Sequence, residues 1–339
     1  MCSSSVSRNG SSSAGVVVAD SPGYDSWPMC QTVGNKIVCA WSRGTFHDIF
    51  EPGRAVFARV SPDGGRSWEE ETLVCDTPGR GDVTVGKGLD EEGNMLLWVR
   101  HSGPDGFRHR LYRSCDGKSF VCIAEPELPF NLVQITDIFH LPGVGLTSLF
   151  FGGSYRRDDS HYWGKLTSCD NGSSWRPAVI EEHLPPSQWP TEPSAVSLGD
   201  GRLLAVARTE VTEDSPEKAQ FQLTSTDAGR TWHKAKTNIT DVMISTPSLI
   251  LDRETGLVSC YYYYRGKGLL NRRFADARGI FDAPLSWSEP ETVARGSCEV
   301  CEAGNVNASA SPMGHVLAWY SGKMPSTAVY VKVVPPPRA

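Results

Sequence analysis

Glu192 and Arg208 stand at the two ends of one short motif. Thr191-Glu192-Pro193-Ser194-Ala195-Val196 leads in, Asp200-Gly201 turns, and Arg202-Leu203-Leu204 leads out to Ala207-Arg208. Two apolar runs about an Asp-Gly turn are a hairpin signal. A carboxylate at the entrance and a guanidinium at the exit face one another across its open end. A buried carboxylate is costly unless paired, and Arg208 is the natural partner. Such a pair is either a staple across a hairpin or the charged centre of a site. His47-Asp48 offers a second chemistry. An imidazole titrates near neutrality, and either side chain can pass a proton.

The chain repeats this outline, which indicates the scaffold. Trp27-Pro28 to Arg43, Gly81-Asp82 to Arg100, Thr136-Asp137 to Gly152, Thr246-Pro247 to Arg265 and Asn305 to Tyr320 share the build. Asp82 and Asp137 open their copies; Arg43, Arg100 and Arg265 close theirs, with His101 after Arg100 and Arg272 and Arg273 as rivals of Arg265. Most copies lead on to a second signature. Ser61-Pro62-Asp63-Gly64-Gly65-Arg66-Ser67-Trp68 returns at Ser114 to Phe120, Ser168 to Trp175 and Ser225 to Trp232, and in decayed form at Ala275 to Gly279 before Trp287. In each the Asp can accept bonds from its own turn, Gly supplies positive φ, and the Trp packs beneath the hairpin.

Each copy is therefore about four short strands. Six such units arranged radially make an all-β, six-bladed β-propeller, a ring that leaves few strand edges. The last unit lacks a strand after Val334, and Val16-Val17-Val18-Ala19 is expected to complete it. The domain reading is a flexible Ser/Gly-rich tail over residues 1–15 and one propeller over 16–339.

Composition agrees with a turn-rich protein: 33 glycines and 23 prolines in 339 residues. A net charge of −6 gives no electrostatic grip on nucleic acid or anionic lipid. No apolar run is long enough to span a membrane. The ten cysteines have no disulfide-framework spacing and read as buried free thiols; Cys298-x-x-Cys301 lacks the second pair a zinc site needs. No organic cofactor or metal is implied. Met1-Cys2 before serines is similar to a lipoprotein's mature start, which leans toward a secreted or cell-surface protein.

The Ser-x-Asp-x-Gly-x-Thr/Ser-Trp turns resemble the Asp-boxes, or BNR repeats, of the sialidase (neuraminidase) superfamily. The resemblance implies an active site on the propeller axis, where the first strands of the blades begin. It also implies an arginine triad that clamps a carboxylate, a Tyr nucleophile activated by a Glu, and an Asp acid/base. Glu192 matches the Glu, Arg208 the second arginine and Arg265 the third. Asp48 falls where the acid/base lies, with His47 beside it. Two family residues have no counterpart: Ser26-Trp27-Pro28 stands where the first arginine belongs, and Ala303-Gly304-Asn305-Val306-Asn307 where the tyrosine belongs. Tyr24, just before the first inner strand, is the candidate phenol from the first blade. Arg43, Arg100, Asp82 and Asp137 are further candidates for substrate binding. The implied activity is exo-α-sialidase-like hydrolysis of an acidic glycan, releasing sialic acid or a related keto or uronic acid. Without the tyrosine, an inverting route through water is the consistent alternative. A glycan-binding propeller that lacks catalysis and a uronic-acid lyase remain open.

Overall fold

The computed structural model describes residues 15–129, 131–154, 157–211 and 215–338, with backbone alone at 157–159 and 216. The expected tail and Cys2 lie outside the described residues. A lone strand β1 (Val16–Ala19) comes first. The first unit follows as β2 (Tyr24–Val33), β3 (Lys36–Gly44), β4 (Ala55–Ser61) and β5 (Thr72–Cys75). The second is β6 (Gly81–Leu89), β7 (Met95–Gly103), β8 (Gly106–Ser114) and β9 (Val121–Ala124). The third is β10 (Leu132–Leu141), β11 (Gly145–Ser154), β12 (Arg157–Ser168) and β13 (Arg176–Leu184). The fourth is β14 (Thr191–Gly199), β15 (Arg202–Arg208), β16 (Phe221–Ser225) and β17 (His233–Lys236). The fifth is β18 (Ser248–Asp252), β19 (Leu257–Tyr264), β20 (Leu269–Asp276) and β21 (Glu291–Arg295), with the helix α1 (Ala277–Asp282) inserted before β21. The sixth is β22 (Ala303–Ser311), β23 (Gly314–Lys323) and β24 (Ser326–Val334).

Each unit is an antiparallel meander, and the sixth is completed by β1, which pairs antiparallel with β24 (Val16 with Val331, Val17 with Tyr330). The first strands touch in the cycle β2, β6, β10, β14, β18, β22 and back to β2, so the ring closes around an axis. Among the described residues the hydrogen-bonded sheets number five rather than six separate ones. Sheets two to five are four-stranded, whereas the sixth and first units merge into one eight-stranded sheet. The merger is a single parallel pair, Tyr24 with Thr327, at the seam where the chain ends meet.

The Ser-x-Asp turns have the bonding that their sequence predicts. Asp170 Oδ1 accepts from Ser168 Oγ at 2.8 Å and Ser174 N at 2.8 Å, and Gly172 N donates to Ser168 Oγ at 2.9 Å. Asp63, Asp116 and Asp227 repeat the pattern. Hydrogen bonds from Ser67, Ser174 and Thr231 hold Asp63, Asp170 and Asp227 down at about 2. The tryptophans do more than cover their own hairpins. Trp175 packs on Trp98 of the preceding unit (ring centroids 5.2 Å apart) and Trp232 on Trp163 (5.5 Å), so these two turns lock one unit to the next. In the decayed fifth copy Asp276 instead caps α1 through Arg278 N and Gly279 N.

The thiol expectation needs correction. Cys30, Cys39 and Cys260 are buried, but Cys115, Cys169, Cys298 and Cys301, on turns and loops, and Cys122, on the outermost strand β9, are exposed.

Candidate functional site

Five of the six innermost strands break register at the same height. The breaks fall at Ser26/Met29, Thr84/Gly86, Ile135/Ile138, Thr191/Ser194 and Gly304/Asn307. A bulge of this kind bends the strand and re-aims a side chain. Trp27, Glu192 and Asn305 sit at these breaks with φ of 49°, 47° and 45°, a left-handed conformation costing on the order of 1–3 kcal/mol unless the surroundings enforce it. The surroundings do. Thr84 Oγ1 donates to the Trp27 carbonyl, and Leu249 N of the next unit donates to Ser194 Oγ at 2.9 Å. With Val85, Asp137 and Thr246, these bulge positions give the cavity on the axis one residue from each unit.

That cavity measures about 350 Å³. Of the residues expected from sequence, Glu192, Arg208, Arg265, Arg100, Asp137, His47 and Asp48 line it. Glu192 is 7% exposed. Its Oε1 lies 3.1 Å from Arg208 Nη1, and its Oε2 accepts from Thr246 Oγ1. Burial pushes the Glu192 carboxyl up, but Arg208, Thr246 and Arg265 outweigh it and hold the pKa below the ordinary value. Glu192 is therefore ionised at neutral pH. Arg208 also reaches Glu210 at 2.9 Å.

Arg265 is 5% exposed and is steered by the sixth unit. It donates to Ala303 O at 3.0 Å and Asn305 Oδ1 at 2.8 Å. Gly304 makes room for it: φ is 134°, and a Cβ there would meet Arg265 Nε at 2.6 Å. Arg100 donates to Val133 O at 2.9 Å and stacks over Phe107. Arginines from the second, fourth and fifth units thus meet one cavity, and the bulge of the first unit presents Trp27 there rather than an arginine.

His47 and Asp48 come from the loop between β3 and β4, and a residue unmarked in the sequence shapes that loop. Arg54 is fully buried. It donates to Asp48 O at 3.0 Å and to Phe46 O, pairs with Glu51 at 3.0 Å, and stacks over Trp27. The His47 ring lies against Trp27 (5.1 Å) and Tyr24 (5.6 Å, perpendicular). Burial, then the charges of Arg265, Arg54 and Arg208, lower its pKa to about 4. His47 is exposed and lines the cavity.

Three expected contributors stand outside the cavity. Arg43 forms a two-pronged pair with Glu71 (2.7 and 2.8 Å) and binds Asp25 (2.7 Å), which ties β2, β3 and the run-in to β5 together. Asp82 is fully buried against His101 Nδ1 (2.6 Å) and Thr77 N (2.8 Å). Tyr24 is fully buried behind His47; its hydroxyl donates to Cys301 O and lies 2.7 Å from His47 Nδ1. Burial, then Tyr320, pushes the Tyr24 phenol far above its ordinary value, so it is protonated at neutral pH. Asp137 lines the cavity but is held by Lys87 Nζ at 3.0 Å and Asn307 Nδ2 at 3.1 Å. Among the described residues no tyrosine lines the cavity.

Sequence reading missed Arg54, Trp27, Thr246 and Asn305 as working parts. A signal for two of them exists: Trp27-Pro28 and Thr246-Pro247 repeat the Glu192-Pro193 pattern at the head of an innermost strand.

No protein-family model and no curated protein matches the sequence. Solved structures do match. A Dyadobacter fermentans protein of unknown function superposes with a TM-score of 0.74 at 16% identity, covering 95% of this chain and 98% of that one. The Trypanosoma rangeli sialidase with 2,3-difluorosialic acid gives 0.65 at 11% identity, over 91% of this chain and 54% of that one. The NanB sialidase of Streptococcus pneumoniae gives 0.66 at 11% identity, over 94% and 70%. This chain has the sialidase fold. It spans about half the length of the trypanosomal enzyme, and at these identities the likeness speaks for the fold alone.

Proposed function

We propose that the axial cavity binds the terminal acidic sugar of a glycan and hydrolyses its glycosidic bond, with water as the nucleophile. One observation carries this reading: an ionised, nearly buried Glu192 on a strained bulge, paired with Arg208 and flanked by Arg265, in a cavity that Asp48 also lines. Arg208, Arg265 and Arg100 supply the positive field that a sugar carboxylate needs, and the planar guanidinium suits two-pronged binding. Glu192 provides fixed negative charge against the positive charge that develops on the ring during bond cleavage. Asp48, on the loop that Arg54 anchors, donates the proton to the leaving oxygen.

Asn305, where the resemblance places the catalytic tyrosine, argues for water rather than a covalent intermediate. The sialidase neighbours make sialic acid the first substrate to try; keto and uronic acids follow. The test is hydrolysis of aryl α-glycosides of these sugars, with the anomeric configuration of fresh product read by NMR. Inversion is expected. Glu192→Gln and Arg208→Ala should each abolish turnover and keep the fold; full activity in either removes that residue from the mechanism. Saturable glycan binding without product after long incubation would favour a non-catalytic lectin-like propeller, supported by a cavity wall that carries no tyrosine among the described residues. An unsaturated, ultraviolet-absorbing product would instead identify a lyase.

A further inference from the structure

His47 has one ring nitrogen fixed in the wall and one not. Nδ1 lies 2.7 Å from the Tyr24 hydroxyl, which also contacts the Cys301 carbonyl. A carbonyl can only accept, so the single proton of the Tyr24 hydroxyl points at Cys301 O. The Tyr24 oxygen is then an acceptor toward His47, and Nδ1 has to carry the imidazole proton. Tyr320 makes a longer approach to the same carbonyl, 3.3 Å. The neighbouring ring of Trp27 and the loop anchor Arg54 keep the imidazole in place.

We propose that Tyr24 is a positioning residue that locks His47 in its Nδ1–H form, and that His47 Nε2 is the base that takes a proton from the attacking water. This rests on the hydrolytic reading above. As the water O–H bond breaks, its proton goes to Nε2 and its oxygen bonds to the anomeric carbon. The glycosidic C–O bond breaks in the same step, and the departing oxygen takes the proton of Asp48. The imidazolium and the Asp48 carboxylate then reset by proton exchange with solvent.

The charged and titratable groups around His47 keep the imidazole neutral, so that Nε2 can accept. Arg54 behind it, with Arg208 and Arg265 across the cavity, disfavours the imidazolium. Asp48 on its own loop and Glu192 on β14 also line the cavity, Cys301 contributes a carbonyl, and Tyr24 stays protonated. A neutral imidazole with one lone pair available is the state a water-activating base requires at neutral pH.

The experiment reads the tautomer directly, without substrate. Two-bond proton–nitrogen NMR spectra of the full chain at pH 7, with the His47 signals assigned through His47→Gln, should show a neutral ring protonated at Nδ1. Tyr24→Phe should shift it largely to the Nε2–H form, while Tyr320→Phe should leave it unchanged. An Nε2–H ring in the wild type, or a tautomer that follows Tyr320 rather than Tyr24, overturns the lock. On the substrate cleaved, Tyr24→Phe should lower kcat about tenfold with KM unchanged, about 1.4 kcal/mol of barrier. An unchanged kcat in a variant whose tautomer has shifted overturns the role of His47 as base. If no acidic glycoside is cleaved, the hydrolytic reading falls while the tautomer measurement still decides the lock.

Discussion

Removing Arg208 should expose how much of this site is held by one ion pair. The guanidinium and Glu192 are 11% and 8% exposed in their side chains and lie 3.1 Å apart. At an effective dielectric of about 20, that separation corresponds to about 5 kcal/mol of attraction. Not all of it is lost in Arg208→Ala, because Thr246 and Arg265 continue to hold Glu192. The expected cost is about 3 kcal/mol at pH 7, at the lower end for stranding one partner of a buried pair. Glu192→Gln should cost less, about 1 kcal/mol, since Arg208 keeps Glu210 at 2.9 Å. In the double variant Arg208→Ala should cost only about 1 kcal/mol beyond Glu192→Gln, a coupling of about 2 kcal/mol. Equilibrium urea unfolding of the four proteins measures this. The sign with pH is fixed as well. Glu192 has a depressed folded pKa, so its contribution is present above the ordinary carboxylate value and fades as pH falls through the folded one. The coupling should therefore shrink in acid. Should Arg208→Ala cost the same, within about 0.5 kcal/mol, in the wild-type and Glu192→Gln backgrounds, the two residues are independent and the electrostatic account of the site is wrong.

Other outcomes follow from single contacts. Gly304→Ala puts a Cβ 2.6 Å from Arg265 Nε at a φ of 134°, so it should weaken affinity for an acidic sugar at least about tenfold, read by calorimetric titration; unchanged affinity would free Arg265 from carboxylate binding. His109 is 2% exposed, and burial followed by the Arg100 charge lowers its pKa to about 3. The folded state resists protonation there, so stability is full above about pH 6.5 and falls as pH drops toward 3, by about 3 kcal/mol between pH 7 and 4. His109→Gln should flatten that part of the urea-midpoint profile, and an unaltered slope would assign acid sensitivity elsewhere.

The repeat was legible because its signals are local. Ser168, Asp170, Gly172 and Trp175 satisfy one another inside a single turn, so their spacing alone predicts their bonding. Closure by Val16–Ala19 was legible for a related reason, a missing strand at one end and an orphan strand at the other. Glu192 and Arg208 were legible because they belong to one hairpin. Arg43, Asp82 and Tyr24 were misplaced because strand position gives the height of a residue along the axis but not which face its side chain takes. A bulge changes that face, and nothing in Ile135 to Ile138 or Gly304 to Asn307 announces one. Arg54 was invisible for the opposite reason. Its partners Asp48, Phe46 and Glu51 are backbone and loop groups of no recognisable pattern, so only the folded loop reveals it.

The bulges also explain how one scaffold carries both rigidity and a site. A regular inner strand alternates side chains between its two faces, which would turn Glu192 toward the packing between neighbouring units rather than into the cavity. Breaking register at that height costs backbone strain at Trp27, Glu192 and Asn305; the breaks at Trp27 and Glu192 are tied by a bond to the next unit and followed by a proline, and Asn305 is held by Arg265 of the preceding unit. Strain is held where neighbours on both sides can oppose it, which a closed ring supplies and an open sheet edge does not. The outer turns at Asp63, Asp116, Asp170 and Asp227 thus contribute to the site indirectly. They and the tryptophan contacts between units hold the ring shut, and the shut ring keeps an ionised carboxylate and its arginines aimed at the axis.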